Sequence, residues 1–178
     1  MIRRRAGALA AAAACWLLRT QPGSAEGLRL SSPAFGHNQA IRKKYTCTRA
    51  NVSPPLSWSG APAGTKSFAL IADDPDAPVG TWVHWVLYNL PADATGVPQG
   101  VPPSERLPSG ARQGVNDFGK VGYGGPCPPP GKPHHYYFRV YALNAPTNLE
   151  PRASMVDVLR AMRRHVLSVA ELMGTDKR

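Results

Sequence analysis

Cysteine is scarce in this chain, with three in 178 residues, and no Cys-x-x-Cys pair occurs, so nothing points to a zinc cage or a dithiol redox centre. Acidic residues are also few, 11 against 21 Lys and Arg, for a formal net charge of +10. There is no Gly-x-Ser-x-Gly, no Walker loop and no Gly-x-Gly-x-x-Gly, which removes the usual sequence signals for a serine hydrolase, a P-loop NTPase and a dinucleotide enzyme. No internal repeat is visible. The apolar run from Ala6 to Leu18 falls short of the roughly 20 residues that span a bilayer. What the chain has in quantity is punctuation: 17 glycines and 19 prolines argue against a helical bundle and for short strands joined by many turns. A hydrophobic content of 43% argues against wholesale disorder, and the length suits one domain.

The first residues read as a targeting segment. Arg3, Arg4 and Arg5 precede the apolar run, and Gly23-Ser24-Ala25 supplies small residues for cleavage. Residues 1–25 are therefore expected to be a secretory signal peptide cut after Ala25, with residues 26–178 forming a single periplasmic or secreted domain. A rival cut before Cys15 would make a lipoprotein; the stretch before it is short, and Trp16-Leu17-Leu18 follows. Residues 1–25 carry Arg3, Arg4, Arg5 and Arg19 and no acid, so without them the net charge falls from +10 to +6. The longest basic run left is Arg42-Lys43-Lys44. That is a solvated basic face rather than a nucleic-acid footprint, and it leaves attraction to an anionic membrane surface open. In an oxidising compartment the two remaining cysteines, Cys47 and Cys127, are expected to pair; two unpaired buried thiols are the alternative.

Hydrophobic patterning places the elements. Leu28 to Phe35 reads as a strand interrupted by Pro33. Asn51 to Pro62 reads as an irregular connection anchored by Trp58. Lys66 to Asp73 and Trp82 to Leu90 are apolar on both parities, which predicts strands of a sheet covered on each face. Tyr136 to Leu143 is another strand. Pro91 to Gly131 is a long Gly- and Pro-rich stretch of the kind that is functional or mobile. Ser154 with Asp157 three residues on is an approximate capping box. After it, Met155, Leu159, Met162, Val166, Val169 and Met173 recur at steps of three and four, predicting a C-terminal helix stopped by Gly174.

Chemistry-bearing groups collect at three places: Asp73, Asp74 and Asp76 at a strand end, His84 inside an aromatic strand, and Gly124-Gly125-Pro126-Cys127 followed by His134, His135 and Tyr136. A strand end, a mid-strand histidine and a Gly-rich loop can converge on one pocket. Paired imidazoles and backbone N–H groups suit an anion such as phosphate, and an Asp beside them can orient a histidine. Each also has a plainer reading: Asp74 as a turn cap before Pro75, His84 as a satisfied core histidine, His134 and His135 as surface residues. No nucleophile accompanies them, and their spacing matches no compact metal motif.

Taken in order, YTCTRANVSPPLSWSGAP, SFALIADDPDAPVGTWVHWVLYNLPA, QGVNDFGKVGYGGPCPPPGKPHHYYFRVYALN and AMRRHVLSVAELMG resemble the phosphatidylethanolamine-binding protein family, most of all its bacterial Raf-kinase-inhibitor-like branch. The resemblance covers nearly all of Leu28 to Gly174. It implies a mainly β (α+β) fold, a large antiparallel sheet packed with a smaller sheet and peripheral helices. It also implies a pocket for the phosphate of phosphoethanolamine-like head groups, carried over onto Asp74, Asp76, Trp82, His84, Gly125, His134 and Tyr136. In this picture His84 and His134 flank the anion, Gly125 lets backbone approach it, Asp74 fixes the hydrogen bonds, and Pro75 and Pro78 stiffen the wall. His135 stands where Arg is common in the family motif, and Cys127 interrupts its Gly-Pro-Pro form. Only four residues follow Gly174, so a pocket more open than in eukaryotic relatives is expected. The function expected is that of a non-enzymatic binding protein without a cofactor, for a small phosphorylated ligand or phospholipid head group. The alternatives are a modulator of a protein partner, kinase or protease, acting through the pocket rim, and an enzyme acting on phosphoesters through Asp74 and His84. A homodimer is an expectation by analogy with bacterial relatives alone.

Overall fold

The structure is a computed structural model and describes residues 27–178. The signal-peptide and lipoprotein readings fall outside the described residues.

Two sheets make the architecture. The smaller has three strands in the order β1 (Arg29–Ser31), β3 (Leu56–Ser59) and β6 (Gly96–Val97). The larger has six, in the order β2, β9, β8, β4, β5, β7, namely β2 (Gln39–Ala40), β9 (Val166–Asp176), β8 (His134–Leu143), β4 (Ser67–Asp74), β5 (Trp82–Pro91) and β7 (Arg112–Gln113). Every named pairing is antiparallel except that of β2 with β9. The mainly β, two-sheet arrangement is the one expected.

β4 and β5 are apolar on both parities because both faces of the large sheet are covered, as their sequence predicts. One core lies between the sheets, with Trp58, Phe68, Leu70, Trp85, Phe138 and Leu172 among its members. The other lies on the outer face, where Ala69, Ile71, Val86, Tyr88 and Leu143 pack under Val158 and Met162 of α1 (Met155–Met162). Removing a fully buried side chain such as Phe138 typically costs about 3–5 kcal/mol, so the two cores fix where the strand ends lie.

Three expectations need correction. The helix begins as predicted: the Ser154 side chain accepts from Asp157 N and the Asp157 carboxylate from Ser154 N, a capping box. It ends at Met162, however, and residues 166–176 form strand β9 instead of a C-terminal helix. Val166 and Val169 fit the helical period alone, but pairing with the whole of β8, from Leu143↔Val166 to His134↔Asp176, decides for the strand, in which Ala170, Leu172, Gly174 and Asp176 are the buried face. Gly174 is accordingly no helix stop; it lies mid-strand beneath Phe35 and Ile41. Next, the connection at Asn51 to Pro62 contains β3, whose Trp58 is indeed a buried anchor. Lastly, the first strand is shorter than Leu28 to Phe35, ending before Pro33.

Candidate functional site

At the end of β4, the start of β5 and the start of β8, one cavity of about 210 Å³ opens between the sheet and the loops. The strand order puts these ends side by side: Asp74 pairs with Trp82 across β4 and β5, and Asp73 with Tyr137 across β4 and β8. A bulge aims the central histidine. Ala72 faces Trp85 while Asp73 faces Val83, which leaves His84 as the extra residue of β5. Bulges re-aim side chains in this way. Trp85 goes to the inner core, Val83 to the outer one, and His84 to the cavity wall.

Of the seven residues carried over from the sequence, Asp74, Trp82, His84 and His134 line the cavity. Asp74, His84 and His134 are buried, at 3%, 3% and 8% exposure. His84 and His134, 50 residues apart in the chain, therefore share one wall, and so do Pro78 and Cys127. The other three stand behind or beside it. Asp76 accepts from His135 N at 2.8 Å and from His135 Nδ1 at 2.6 Å, and its own N–H donates to Asp74 Oδ1 at 2.8 Å. Tyr136 meets the His84 ring edge-on at 5.2 Å. Gly125 lines a neighbouring cavity of about 230 Å³ that shares Phe118 and Cys127. Its N–H donates to Asn51 Oδ1 at 2.8 Å, and a Cβ there would lie 2.4 Å from Tyr45 O. Gly125 thus serves a close approach between two stretches of this chain.

Hydrogen bonds fix the imidazole tautomers. His84 Nδ1 lies 2.5 Å from Gly124 O, and a carbonyl only accepts, so Nδ1 carries the hydrogen. His134 Nδ1 lies 2.8 Å from Asp74 Oδ2 and donates to it by the same reasoning. The remaining ring nitrogen of each is Nε2, and the Gly125 backbone is a second hydrogen-bonding neighbour of the His84 ring. Burial lowers the His84 pKa; the Gly124 carbonyl and the charges of Asp74 and Asp117 pull the other way, and burial prevails. The Tyr136 phenol is raised, by burial first and then by Asp74 and Asp176, so it stays a neutral donor. Its hydroxyl is buried and makes no well-formed hydrogen bond, the Asp74 carboxylate being the acceptor it interacts with. Partial desolvation raises Asp76, but the bonds and charge from His135 outweigh it, and its carboxyl sits below the ordinary range.

Strand alternation separates residues that are adjacent in sequence. Asp73 leaves the site for the outer face, where Arg139 Nη1 reaches it at 2.7 Å, Glu171 holds Arg139 Nε at 2.8 Å, and the guanidinium lies over the Tyr137 ring. His135 likewise leaves the wall to His134. Sequence reasoning missed Phe118, which meets both Trp82 and His84 edge-on at 5.5 and 5.4 Å. Its loop is held by Asn116, whose Oδ1 accepts from Phe118 N and Lys120 N. The Asn116-Asp117 pair before Phe118 is a turn signal that could have drawn attention to it. Cys127 of the wall is joined to Cys47 by a disulfide with their Cα atoms 5.4 Å apart.

Residues 31–177 match the sequence profile of the family described as phosphatidylethanolamine-binding protein. The chain belongs to this family. Among its relatives, a UPF0098 protein of Methanothermobacter thermautotrophicus is 52% identical over 151 residues, covering 85% of this chain and 99% of the relative. A UPF0098 protein of Aquifex aeolicus is 44% identical over 153 residues, covering 85% and 89%. Among solved structures, a putative phosphatidylethanolamine-binding protein homologue from Chlamydia trachomatis superposes with a TM-score of 0.78 at 39% identity, covering 85% of this chain and 98% of that one. YbcL of E. coli, described as a new member of the mammalian family, gives 0.78 at 37% identity with the same coverage. For a phosphatidylethanolamine-binding protein family member, the chemistry available in this cavity is hydrogen bonding from two imidazoles between aromatic and proline walls. Its lining includes no Ser, Thr or Lys, and its one cysteine is tied in the disulfide.

Proposed function

We propose that this protein is an exported, non-enzymatic binding protein whose cavity holds the anionic group of a small phosphorylated ligand or phospholipid head group. The observation that carries the reading is the pair of buried imidazoles lining one cavity, each with Nδ1 tied to a fixed acceptor and Nε2 left over. Two such nitrogens beside apolar walls form a small, partly enclosed recess in which a charged hydrogen bond is stronger than in bulk water. The ligand class follows from this chemistry together with the family's name. Calorimetric titration with phosphoethanolamine at about pH 5.5 tests it, imidazole having an ordinary pKa of about 6.5. Binding is expected, and His84→Ala or His134→Ala should weaken it at least about tenfold, the loss of roughly one charged hydrogen bond, in a protein that still unfolds cooperatively. No binding at that pH, or unchanged affinity in both variants, would overturn the proposal.

A second reading has one observation in its favour. Val79 and Phe118, 80% and 40% exposed, form an apolar rim around the cavity, as a protein-docking site would. A partner captured from an envelope extract whose binding survives His84→Ala and fails on Val79→Asp would move the function from the recess to its rim.

A further inference from the structure

The anion-pocket reading leaves open which anions the recess takes, and the state of His84 decides among them. We propose that ligand binding here is coupled to the uptake of one proton at the contact between His84 Nε2 and a ligand oxygen, and that the site therefore prefers a phosphomonoester to a phosphodiester or sulfate. This rests on the reading of the cavity given above.

His84 Nδ1 donates to Gly124 O, and Gly124 N donates back to His84 O at 2.8 Å, so the ring's orientation is locked to the loop by two bonds. Phe118 and Tyr136 pack edge-on against it from the loop and from β8. A ring so held cannot turn to offer its N–H to a ligand. In the neutral state it presents only the lone pair of Nε2.

The charged and titratable groups around the ring are few. Asp74 from β4 and Asp117 from the loop favour the imidazolium; Tyr136 and His134 come from β8. Asp74 is already committed to Asp76 N and His134 Nδ1. Asp117 accepts from Val83 N at 2.7 Å. Burial outweighs these charges, and the free protein carries His84 neutral around pH 7.

An oxygen without a hydrogen, brought against a lone pair, is repelled. A proton from solvent must therefore accompany the ligand, settling between the ligand oxygen and Nε2; no other bond forms or breaks. A phosphomonoester makes this easy, because its own second ionisation lies near about 6. A phosphodiester or sulfate holds no proton at neutral pH, so His84 alone must take it against its burial.

Calorimetry at about pH 7.5, in two buffers of different ionisation enthalpy, reads the proton count directly. The probes are phosphoethanolamine, glycerophosphoethanolamine and sulfate. Uptake of at least one proton is expected for the diester, whose own charge is fixed and which also meets the Nε2 lone pair of His134, with affinity falling by up to about tenfold per pH unit above neutrality for each proton taken up. The monoester should bind several-fold more tightly than the diester or sulfate. His84→Gln offers a permanent amide N–H near the Nε2 position; it should bind the diester with no buffer-dependent heat and a flatter pH profile. Should that variant fail to fold, the imidazole resonances of the wild-type protein give the same answer: the pKa of His84 rises when the diester saturates the site. Diester binding with buffer-independent heat, or a His84 pKa unmoved by ligand, overturns the inference and leaves the anion pocket standing. No heat from any of the three probes down to about pH 5.5 overturns the pocket and the inference together.

Discussion

Burial costs His84 its proton, and that cost appears in the protein's stability as well as in its ligand preference. In the unfolded chain this imidazole titrates near about 6.5; in the folded ligand-free protein it titrates lower. As pH falls through 6.5 towards the folded value, the unfolded state takes up the proton first, so stability is lost on acidification in that window and is fully present above it. Urea unfolding at about pH 7.5 and pH 5.5 should show this slope in the wild-type protein and a shallower one in His84→Gln. An unchanged slope would mean that the ring is not held neutral by the fold. Asp76 acts in a separate, lower window: its depressed pKa gives stability that is lost only as pH falls below about 3.8, and its partial exposure keeps that contribution small. Tyr136 makes the complementary test of a buried polar group. Its hydroxyl makes no well-formed hydrogen bond, so Tyr136→Phe should leave stability unchanged or raise it by up to about 1 kcal/mol, measured by chemical unfolding. A loss above about 1 kcal/mol would show that the hydroxyl is bonded in the native state.

Elements of the fold were legible in the sequence to the extent that each carried its own signal. β4, β5 and β8 announce themselves by β-branched and aromatic residues on both parities, and their ends bring Asp74, His84 and His134 together. The bulge at His84 was not legible, because simple alternation puts Trp82, His84, Val86 and Tyr88 on one face; the extra residue shifts the phase so that Val86 and Tyr88 go outward while His84 faces the cavity. A second register shift, between Phe68 and Leu70, coincides with the left-handed backbone of Asn89. The two-residue strands β2, β6 and β7 are too short for any period. The sequence reading of β9 fails because Val166, Val169 and Met173 follow steps of three and four, whereas the residues that are buried, Ala170, Leu172, Gly174 and Asp176, alternate in steps of two and owe their burial to pairing with β8, a partner distant in sequence. Gly125 shows the same limit in one residue: its place in a Gly-rich loop was evident, its purpose was not. A Cβ there would meet Tyr45 O at 2.4 Å and Asn51 Oδ1 at 2.5 Å, and the backbone carbonyl cannot simply swing away. Gly125→Ala should therefore destabilise the domain by about 1–3 kcal/mol in urea unfolding, and a neutral effect would show that the loop is free to shift.

Across the whole molecule, the Cys47–Cys127 disulfide closes 80 residues of chain and joins the loop after the 3-10 turn at Lys43–Tyr45 to the cavity wall of Cys127, Pro128 and Pro129. In the chain-entropy account a loop of that length is worth about 4 kcal/mol, a large share of the stability of an ordinary domain. The wall has other ties that do not depend on the sulfurs. Cys47 N donates to Pro126 O at 3.0 Å, Gly125 N to Asn51 Oδ1 at 2.8 Å, and Tyr123 Oη to Tyr45 O at 2.7 Å. The bridge and the hydrogen bonds therefore divide the work: the bridge acts mainly on the unfolded chain, and the hydrogen bonds place the wall in the folded one. The variant carrying both Cys47→Ser and Cys127→Ser should lose about 4 kcal/mol in urea unfolding yet bind phosphoethanolamine within about threefold of the wild-type affinity wherever it is still folded. Intact mass before and after reduction shows first that the wild-type protein carries the bond. Affinity lost in a folded double variant would assign the bridge to the site itself, as the strut that holds the proline wall over the two imidazoles.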